Sequence, residues 1–242
     1  MNSSPRLTAR IAGLLYLITI IGGVIGFAVG SSMMVRGDAA ATAAKILASE
    51  PLLRLGFTAN LVAAAAYIGV TVILYKLLKP VNRTVALLAA AFSLTGCAVG
   101  AAISSFQLAP LLLLGGSPYL GAFTPDQLQA LALTSLRMHV VAHNIGMVFF
   151  GLYCGLLGYL VWNAGFLPRI IGAALALTGF CYLTSSLAVF LAPAVAGQLF
   201  PWILMPAMIG EGGLTLWLLI MGVDAEKWRE RAAAADAHAG AR

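Results

Sequence analysis

The sequence predicts an all-α membrane protein, a six-transmembrane-helix bundle whose N- and C-termini are cytoplasmic. Of its 242 residues, 61% are hydrophobic and only 9% are charged, whereas about a quarter of the residues in soluble domains are charged. Six apolar runs are long enough to cross the hydrocarbon core of a bilayer, which takes about 20 helical residues. Because lipid cannot satisfy exposed backbone groups, we expect each run to be a helix.

The six spans form one predicted transmembrane domain, residues 1–223. They lie near residues 11–35, 56–76, 84–114, 140–162, 169–191 and 202–223. Residues 224–242 form a charged, Ala-rich cytoplasmic tail. We expect this tail to be disordered, with Trp228 and Arg229 anchoring its start at the lipid headgroups.

The formal net charge of +6 could indicate nucleic-acid binding, but the positions of the basic residues explain it differently. With the N-terminus cytoplasmic, only Arg36, Lys45 and Arg54 lie on the outer side, and Arg137 lies at its edge. Most basic residues then lie on the inner side: Arg6, Arg10, Lys76, Lys79, Arg83, Arg169, Lys227, Arg229, Arg231 and Arg242. This is the positive-inside bias of a multi-pass protein in the cytoplasmic membrane. The expected partner is therefore the lipid bilayer, and no nucleic acid is expected.

Local signals predict several helix ends. Asp38 is a candidate N-cap for a short outer helix that ends near Ser49. Thr124, followed by Pro125 and by Gln127, has the form of a capping box. A helix from there to Trp162 would have about 38 residues, roughly 57 Å at 1.5 Å per residue. It either projects above the membrane or breaks near residues 134–135. In the sixth span, we expect Pro206 to kink the helix.

The first span carries Gly22, Gly26 and Gly30 at every fourth position. Small residues at this spacing let two helix backbones approach closely. The pattern fits packing within the bundle, and it also leaves open a homo-oligomer that uses the same face.

Several short motifs run through the chain. They are ARIAGLLY at residues 9–16, LYKLLKPVN at 74–82, NIGMVFFGL at 144–152, GYL at 158–160, GFLPR at 165–169 and GE at 210–211. With these motifs the chain resembles, nearly end to end, a bacterial membrane family known as domain of unknown function 4386. The resemblance implies six spans in a prokaryotic cytoplasmic membrane, with no assigned activity. Similar sequences often carry a charged residue where Ser93 stands and Asp where Ser185 stands.

Ionisable and amide side chains are costly inside a membrane and mark candidate functional sites. Glu211 lies near the middle of the sixth span, between Gly210 and Gly212, which favours an interior position. The other candidates gather in the outer third of the predicted spans: Arg54, Asn60, Gln107, Arg137, His139, His143 and Asn144. These side chains predict an outward-facing polar pocket that binds or moves a lipid or small amphiphile.

His139 and His143 share one helix face at i, i+4 spacing, as in zinc sites. The sequence offers no third ligand at a fixed spacing, and Val140 excludes the His-Glu-x-x-His pattern. A divalent metal such as zinc is therefore an alternative to histidines that are hydrogen-bonded at the membrane interface. No other cofactor is predicted.

Glu211 has three alternatives: a neutral side chain bonded to a Ser or Thr, an ion pair, or a proton relay in a transporter. The function classes that remain are a binding or transport protein for a lipid or amphiphile, a non-catalytic membrane partner subunit, and a metal-dependent hydrolase that uses His139 and His143. Whether the chain is an enzyme stays open on the sequence.

Overall fold

The computed structural model describes residues 4–240, without the side chains of residues 238–240, so Arg242 lies outside the described residues. These residues are helical and contain no β-strand. The helices are α1 (Pro5–Met33), α2 (Ala39–Ala48), α3 (Glu50–Leu78), α4 (Arg83–Ile103), α5 (Ser105–Leu114), α6 (Pro125–Trp162), α7 (Arg169–Leu191), α8 (Pro193–Leu199), α9 (Met205–Ile220) and α10 (Ala225–Gly240).

Six apolar segments within this part of the chain are long enough to cross a membrane. They are Pro5–Met33, Glu50–Leu78, Arg83–Leu114, Pro125–Trp162, Arg169–Leu191 and Trp202–Ile220. Each contains most of one predicted span. The prediction of a multi-pass, all-helical membrane protein is therefore confirmed.

The predicted helix caps are present. Asp38 accepts a hydrogen bond from the Ala41 amide at 2.8 Å, which caps α2. At the start of α6, the Thr124 amide donates to the Gln127 side chain, and the Gln127 amide donates to the Thr124 hydroxyl. From this capping box α6 runs for 38 residues. It does not break at residues 134–135.

The third span is interrupted at Ser104, between α4 and α5. The backbone N–H of Gln107 donates a hydrogen bond to the Ser104 carbonyl oxygen at 3.0 Å. In a continuous α-helix that amide would bond the Ile103 carbonyl, four residues back. The interruption therefore releases the Ile103 carbonyl for another donor.

Pro206 lies at a change of helix type within the sixth span. A 3₁₀ turn, Trp202–Leu204, precedes α9, and α9 begins at Met205. Pro206 thus lies in the first helical turn, where its missing N–H would have had no partner within the helix.

The described chain divides into two compact units. The Glu211 unit comprises Met1–Leu17, Ala66–Cys97 and Asn144–Arg242. The His139 unit comprises Ile18–Ala65 and Ala98–His143.

In the Glu211 unit, glycines bring α7 into close contact with α6. A Cβ atom added at Gly158 would lie 2.7 Å from the Gly172 carbonyl oxygen. One added at Gly179 would lie 2.6 Å from the Gly151 carbonyl oxygen. Since no real side chain fits at these distances, the two helix backbones approach closely only because these positions are glycine.

Several helix termini lie together at one end of the Glu211 unit. We call this end, defined by the contacts given next, the basal face. Arg10 of α1 donates to the Ile220 carbonyl at the end of α9 at 3.0 Å. Just beyond α9, the Asp224 amide bonds the Phe166 carbonyl, which lies in the turn before α7. Seven basic residues predicted to be cytoplasmic lie at or near these ends: Arg6, Arg10, Lys76, Lys79, Arg83, Arg169 and Lys227.

In the His139 unit, Gly22 and Gly26 of α1 pack against α3. A Cβ atom at Gly22 would lie 2.8 Å from the Ala59 carbonyl oxygen, and Gly26 lies against the Asn60 side chain. Both glycines are therefore used for packing within the unit. An apolar core joins several elements of the same unit: Val29, Met33, Ile46, Leu53 and Leu136.

The expectation of a disordered tail is wrong for the described residues, where Ala225–Gly240 form α10. Asp224 caps this helix by accepting hydrogen bonds from the amides of Glu226 and Lys227 at 3.2 Å. The Trp228 indole donates to the Leu77 carbonyl at 2.9 Å. The cap and this tertiary bond give the Ala-rich tail the order that its composition alone did not predict.

The pKa of Asp224 is lowered, chiefly because its carboxylate accepts the backbone hydrogen bond from Lys227. Its contribution to α10 is therefore complete above its ordinary pKa of 3.8 and is lost as the pH falls through the lowered value. At neutral pH, we expect Asp224→Ala to speed tryptic cleavage after Lys227 and Arg229 severalfold, because the first turn frays more often. Asp224→Asn keeps a capping oxygen and serves as the matched control. Equal cleavage of all three proteins would contradict the capping role.

Candidate functional site

The candidate site is built around Glu211 in α9. On one side of it, the neighbouring Gly210 lies against the α7 backbone, where an added Cβ atom would be 2.9 Å from the Ala174 carbonyl oxygen. Thr178 of α7 donates to the carbonyl of Pro206 at 2.9 Å, one turn earlier in α9. These contacts fix the start of α9 on α7 and thereby the position of the Glu211 carboxylate.

Three tyrosine hydroxyls from three other helices converge on this carboxylate. Tyr16 of α1 and Tyr67 of α3 donate to Oε1 at 2.6 and 3.1 Å. Tyr182 of α7 donates to Oε2 at 2.6 Å. The Tyr16 and Tyr67 oxygens are also 3.2 Å apart. One carboxylate therefore connects four helices.

The distances fit charge-assisted hydrogen bonds. Bonds from a hydroxyl to a carboxylate oxygen are typically 2.5–2.7 Å long, and those of Tyr16 and Tyr182 are both 2.6 Å. An ionised carboxylate accepts all three hydroxyl hydrogens. A protonated one donates a hydrogen to a phenol oxygen, which can accept it. The cluster can thus hold either form of Glu211 by reorienting hydroxyl hydrogens.

Aromatic rings bury the Tyr16 and Tyr67 side of the cluster, whereas Tyr182 and Glu211 are half-buried. Tyr16 is 1% exposed and Tyr67 is 5% exposed. Their rings meet edge to face with centroids 5.3 Å apart, and Phe150 and Tyr153 make similar contacts with Tyr67. Cys154, next to Tyr153 on α6, is fully buried. Such surroundings strengthen every hydrogen bond to the carboxylate.

No basic side chain neutralises Glu211 among the described residues. The two ion pairs in that part of the chain are Arg54 with Glu50 and Lys227 with Asp224. The alternative of an ion pair at Glu211 is therefore wrong. Glu211 is hydrogen-bonded, but to three tyrosines and not to the serine or threonine of the other structural alternative.

The predicted pocket residues are divided between the two units. Asn144 and Glu211 belong to the Glu211 unit, and the other six belong to the His139 unit. Within the His139 unit, Asn60 donates to Gln107 at 3.0 Å, and Arg54 pairs with Glu50 at 2.7 Å. None of the eight side chains lines the crevice beside Tyr153 or the surface hollow between residues 164–165 and α10.

The two histidines have different surroundings. His139 Nδ1 lies 3.1 Å from the Ile103 carbonyl oxygen, the acceptor that the interruption at Ser104 releases. The His143 side chain is exposed, and so is that of Arg137. Among the described residues, no three His, Cys, Asp or Glu side chains are grouped as a metal site requires. His139 thus serves as a hydrogen-bonding partner for a broken helix.

Sequence reasoning missed the three tyrosines. The available signal was their depth, because tyrosines of membrane proteins concentrate at the two interfaces. Tyr16, Tyr67 and Tyr182 instead lie near the middle of apolar spans. A mid-span phenol needs a hydrogen-bond partner, and Glu211 is an ionisable acceptor at a similar depth.

Ser93, where similar sequences often carry a charge, is fully buried in the Glu211 unit. Its hydroxyl lies 2.6 Å from that of Thr71, and Thr71 also donates to the Tyr67 carbonyl at 2.9 Å. A neutral pair thus lies beside the helix turn that carries Tyr67.

Comparison with known proteins identifies the family. The model of the family described as domain of unknown function (DUF4386) matches residues 11–222. The chain belongs to this family. It is also 26% identical over 155 residues to an uncharacterised protein of Archaeoglobus fulgidus, which covers 64% of this chain and 76% of that protein. No solved structure matches. Because that relative is archaeal, its similarity does not indicate a bacterial source.

Replacing Glu211 by a side chain without an acceptor oxygen should destabilise the protein more than replacing it by a neutral side chain that keeps one. Glu211→Leu removes the acceptor of three tyrosine hydroxyls, at a cost of about 1–3 kcal/mol for each buried hydroxyl that finds no other partner. Glu211→Gln keeps the shape and one carbonyl oxygen. We expect thermal unfolding in mild detergent to show a clearly lower midpoint for Glu211→Leu than for Glu211→Gln. If the two midpoints are equal, the tyrosine hydroxyls do not depend on this side chain.

Proposed function

We propose that this family member is a multi-pass protein of the bacterial cytoplasmic membrane that binds a proton at Glu211 and binds or moves a lipid or small amphiphile. The observation that carries the proposal is the convergence of three tyrosine hydroxyls on one mid-span carboxylate. A carboxyl group inside a membrane helix is costly and is a functional candidate by default.

Protonation of Glu211 would change the strength of the hydrogen bonds that join α1, α3 and α7 to α9. In the ionised form, three donors from α1, α3 and α7 hold the carboxylate. In the neutral form, the same bonds lose their charge assistance and become roughly half as strong. One proton would therefore shift the balance between helix arrangements, as transport or gated binding requires.

The chemistry of Arg137 supports an amphiphilic ligand. Its side chain is exposed and has no hydrogen-bond or ion-pair partner among the described residues. Beside it on α6 lie three exposed apolar residues, Met138, Val140 and Val141. By the sequence it lies at the outer interface of the membrane. A basic group beside an apolar surface is complementary to an anionic headgroup with attached hydrocarbon.

The proposed orientation of the protein in the membrane follows from the distribution of its basic residues. Basic residues are concentrated at the basal face and on α10. The positive-inside rule then makes the basal face cytoplasmic. Both termini would be cytoplasmic, and Arg137 would face the outer leaflet.

The proton site can be tested with a pH jump on proteoliposomes adsorbed to a solid-supported membrane. Wild type should give a transient current, because a proton that enters the membrane interior moves charge across part of the bilayer. We expect Glu211→Gln to abolish this current, since its amide does not titrate. Glu50→Gln, the same substitution at an exposed carboxylate, should leave it unchanged. A full current from Glu211→Gln would overturn the proton site.

The ligand class can be tested by native mass spectrometry of protein solubilised from bilayers that contain phosphatidylglycerol and phosphatidylcholine. One basic residue contributes about 1 kcal/mol to binding an anionic surface. We therefore expect Arg137→Gln to retain about fivefold less phosphatidylglycerol. Arg36→Gln, with the same change of charge at an exposed position between α1 and α2, is the control. Equal retention by both variants would contradict a site at Arg137.

The same spectra test the other two function classes. A bound metal that is lost from a His139→Ala/His143→Ala double variant would favour the membrane-embedded hydrolase. A protein that retains neither lipid nor metal, and gives no pH-jump current, would favour a non-catalytic partner subunit.

A further inference from the structure

The Tyr153 hydroxyl stands out in the Glu211 unit. Its side chain is 2% exposed, and its oxygen has no hydrogen-bond partner among the described residues. The Tyr67 ring lies beside it, with centroids 6.0 Å apart, but the two hydroxyls do not meet hydrogen-bond geometry. A buried tyrosine hydroxyl usually has a partner, so this group calls for an explanation.

A narrow crevice adjoins Tyr153. Its volume is about 10 Å³, the least that holds one water molecule. It lies between α3, α4 and α6, and its lining includes Thr71, Leu78, Ala86, Ala90 and Tyr153. Leu78 is the last residue of α3 and lies beside Leu77, whose carbonyl bonds Trp228. The crevice thus extends from mid-span towards the basal face.

The polar end of the crevice has the groups that a water needs. Buried waters usually make two to four hydrogen bonds. The Tyr153 oxygen can accept a hydrogen bond from the water, and so can the Thr71 oxygen, because it has a second lone pair beyond its contact with Ser93. Apart from Tyr75, the remaining lining is apolar. Small side chains on α4, Ala86 and Ala90, leave the space open.

We propose that this crevice binds a water molecule and forms the proton route between the basal face and Glu211. This inference rests on the proton site proposed above. The water passes a proton to the Tyr153 oxygen while Tyr153 passes its own hydroxyl proton to Tyr67, and Tyr67 passes its own to Glu211 Oε1. Each phenol stays neutral, the carboxylate gains one proton, and the water regains one from the basal side.

The geometry identifies the step that controls this route. Tyr67 already donates to Glu211 at 3.1 Å. Tyr153 and Tyr67 have ring centroids 6.0 Å apart at 72°, and their hydroxyls do not form a hydrogen bond in this arrangement. Transfer would therefore depend on a small movement of one ring, and the route is closed in the arrangement observed here.

The pH-jump measurement separates the route from the proton site. Tyr153→Phe keeps the ring and removes the relay oxygen, so we expect the same total charge displaced as in wild type, but about tenfold more slowly. An unchanged rate would overturn the route and leave the proton site intact. A current that persists in Glu211→Gln would instead overturn the proton site, and the failures of the two proposals are therefore distinguishable.

A second variant fills the crevice without touching the phenols. Ala90→Leu extends into the space, whereas Ala91→Leu makes the same change at an exposed position of α4. We expect the first to slow the current and the second to leave it unchanged. If both variants match wild type, the crevice does not carry the proton.

The water itself can be detected by X-ray hydroxyl-radical labelling of wild type in nanodiscs, because radicals form from water next to the side chain. We expect Tyr153 to be labelled and Ala90→Leu to reduce that labelling severalfold. Tyr16, equally buried but absent from the crevice lining, is the internal control. Labelling of Tyr153 at or below that of Tyr16 would overturn the water site.

Discussion

A carboxylate in the interior of an apolar helix bundle must find hydrogen-bond donors within the protein, because lipid provides none. Glu211 meets this requirement with three phenols, two of them at 2.6 Å. Much of the Glu211 unit follows from that constraint. Glycines set α7 close to α6 and α9 close to α7, so that Tyr182 and Glu211 meet. Aromatic packing between Tyr16 and Tyr67 orients the other two donors.

The same constraint explains details in the His139 unit. Where the third span breaks, the Ile103 carbonyl loses its amide partner, and His139 lies within hydrogen-bond distance of it. Asn60 and Gln107 pair their amides, and Asn60 fits against Gly26, where a side chain would collide with it. Polar residues that suggested a pocket in the sequence therefore serve, in part, to satisfy one another.

Local signals predicted this fold well. Asp38, Thr124 and Gln127 act within one turn of the helix they cap, so their spacing alone was informative. Glycines on both sides of Glu211 correctly indicated an interior position. The tyrosines could not be assigned in the same way, because periodicity does not reveal which helices are neighbours. The order of α10 was missed for a similar reason, since the bond from Trp228 to Leu77 joins residues 151 positions apart.

The convergence of four helices on Glu211 also has a consequence for biosynthesis. Ribosomes deliver α1, α3 and α7 to the membrane before α9, so the phenols of Tyr16, Tyr67 and Tyr182 enter lipid ahead of their acceptor. Tyr16 and Tyr67, whose oxygens are 3.2 Å apart, can pair with each other in the interval. Insertion of α9 then completes the set. The helix α9 thus supplies the acceptor that completes the cluster. A chain truncated before α9 would carry unsatisfied hydroxyls that quality-control proteases could recognise.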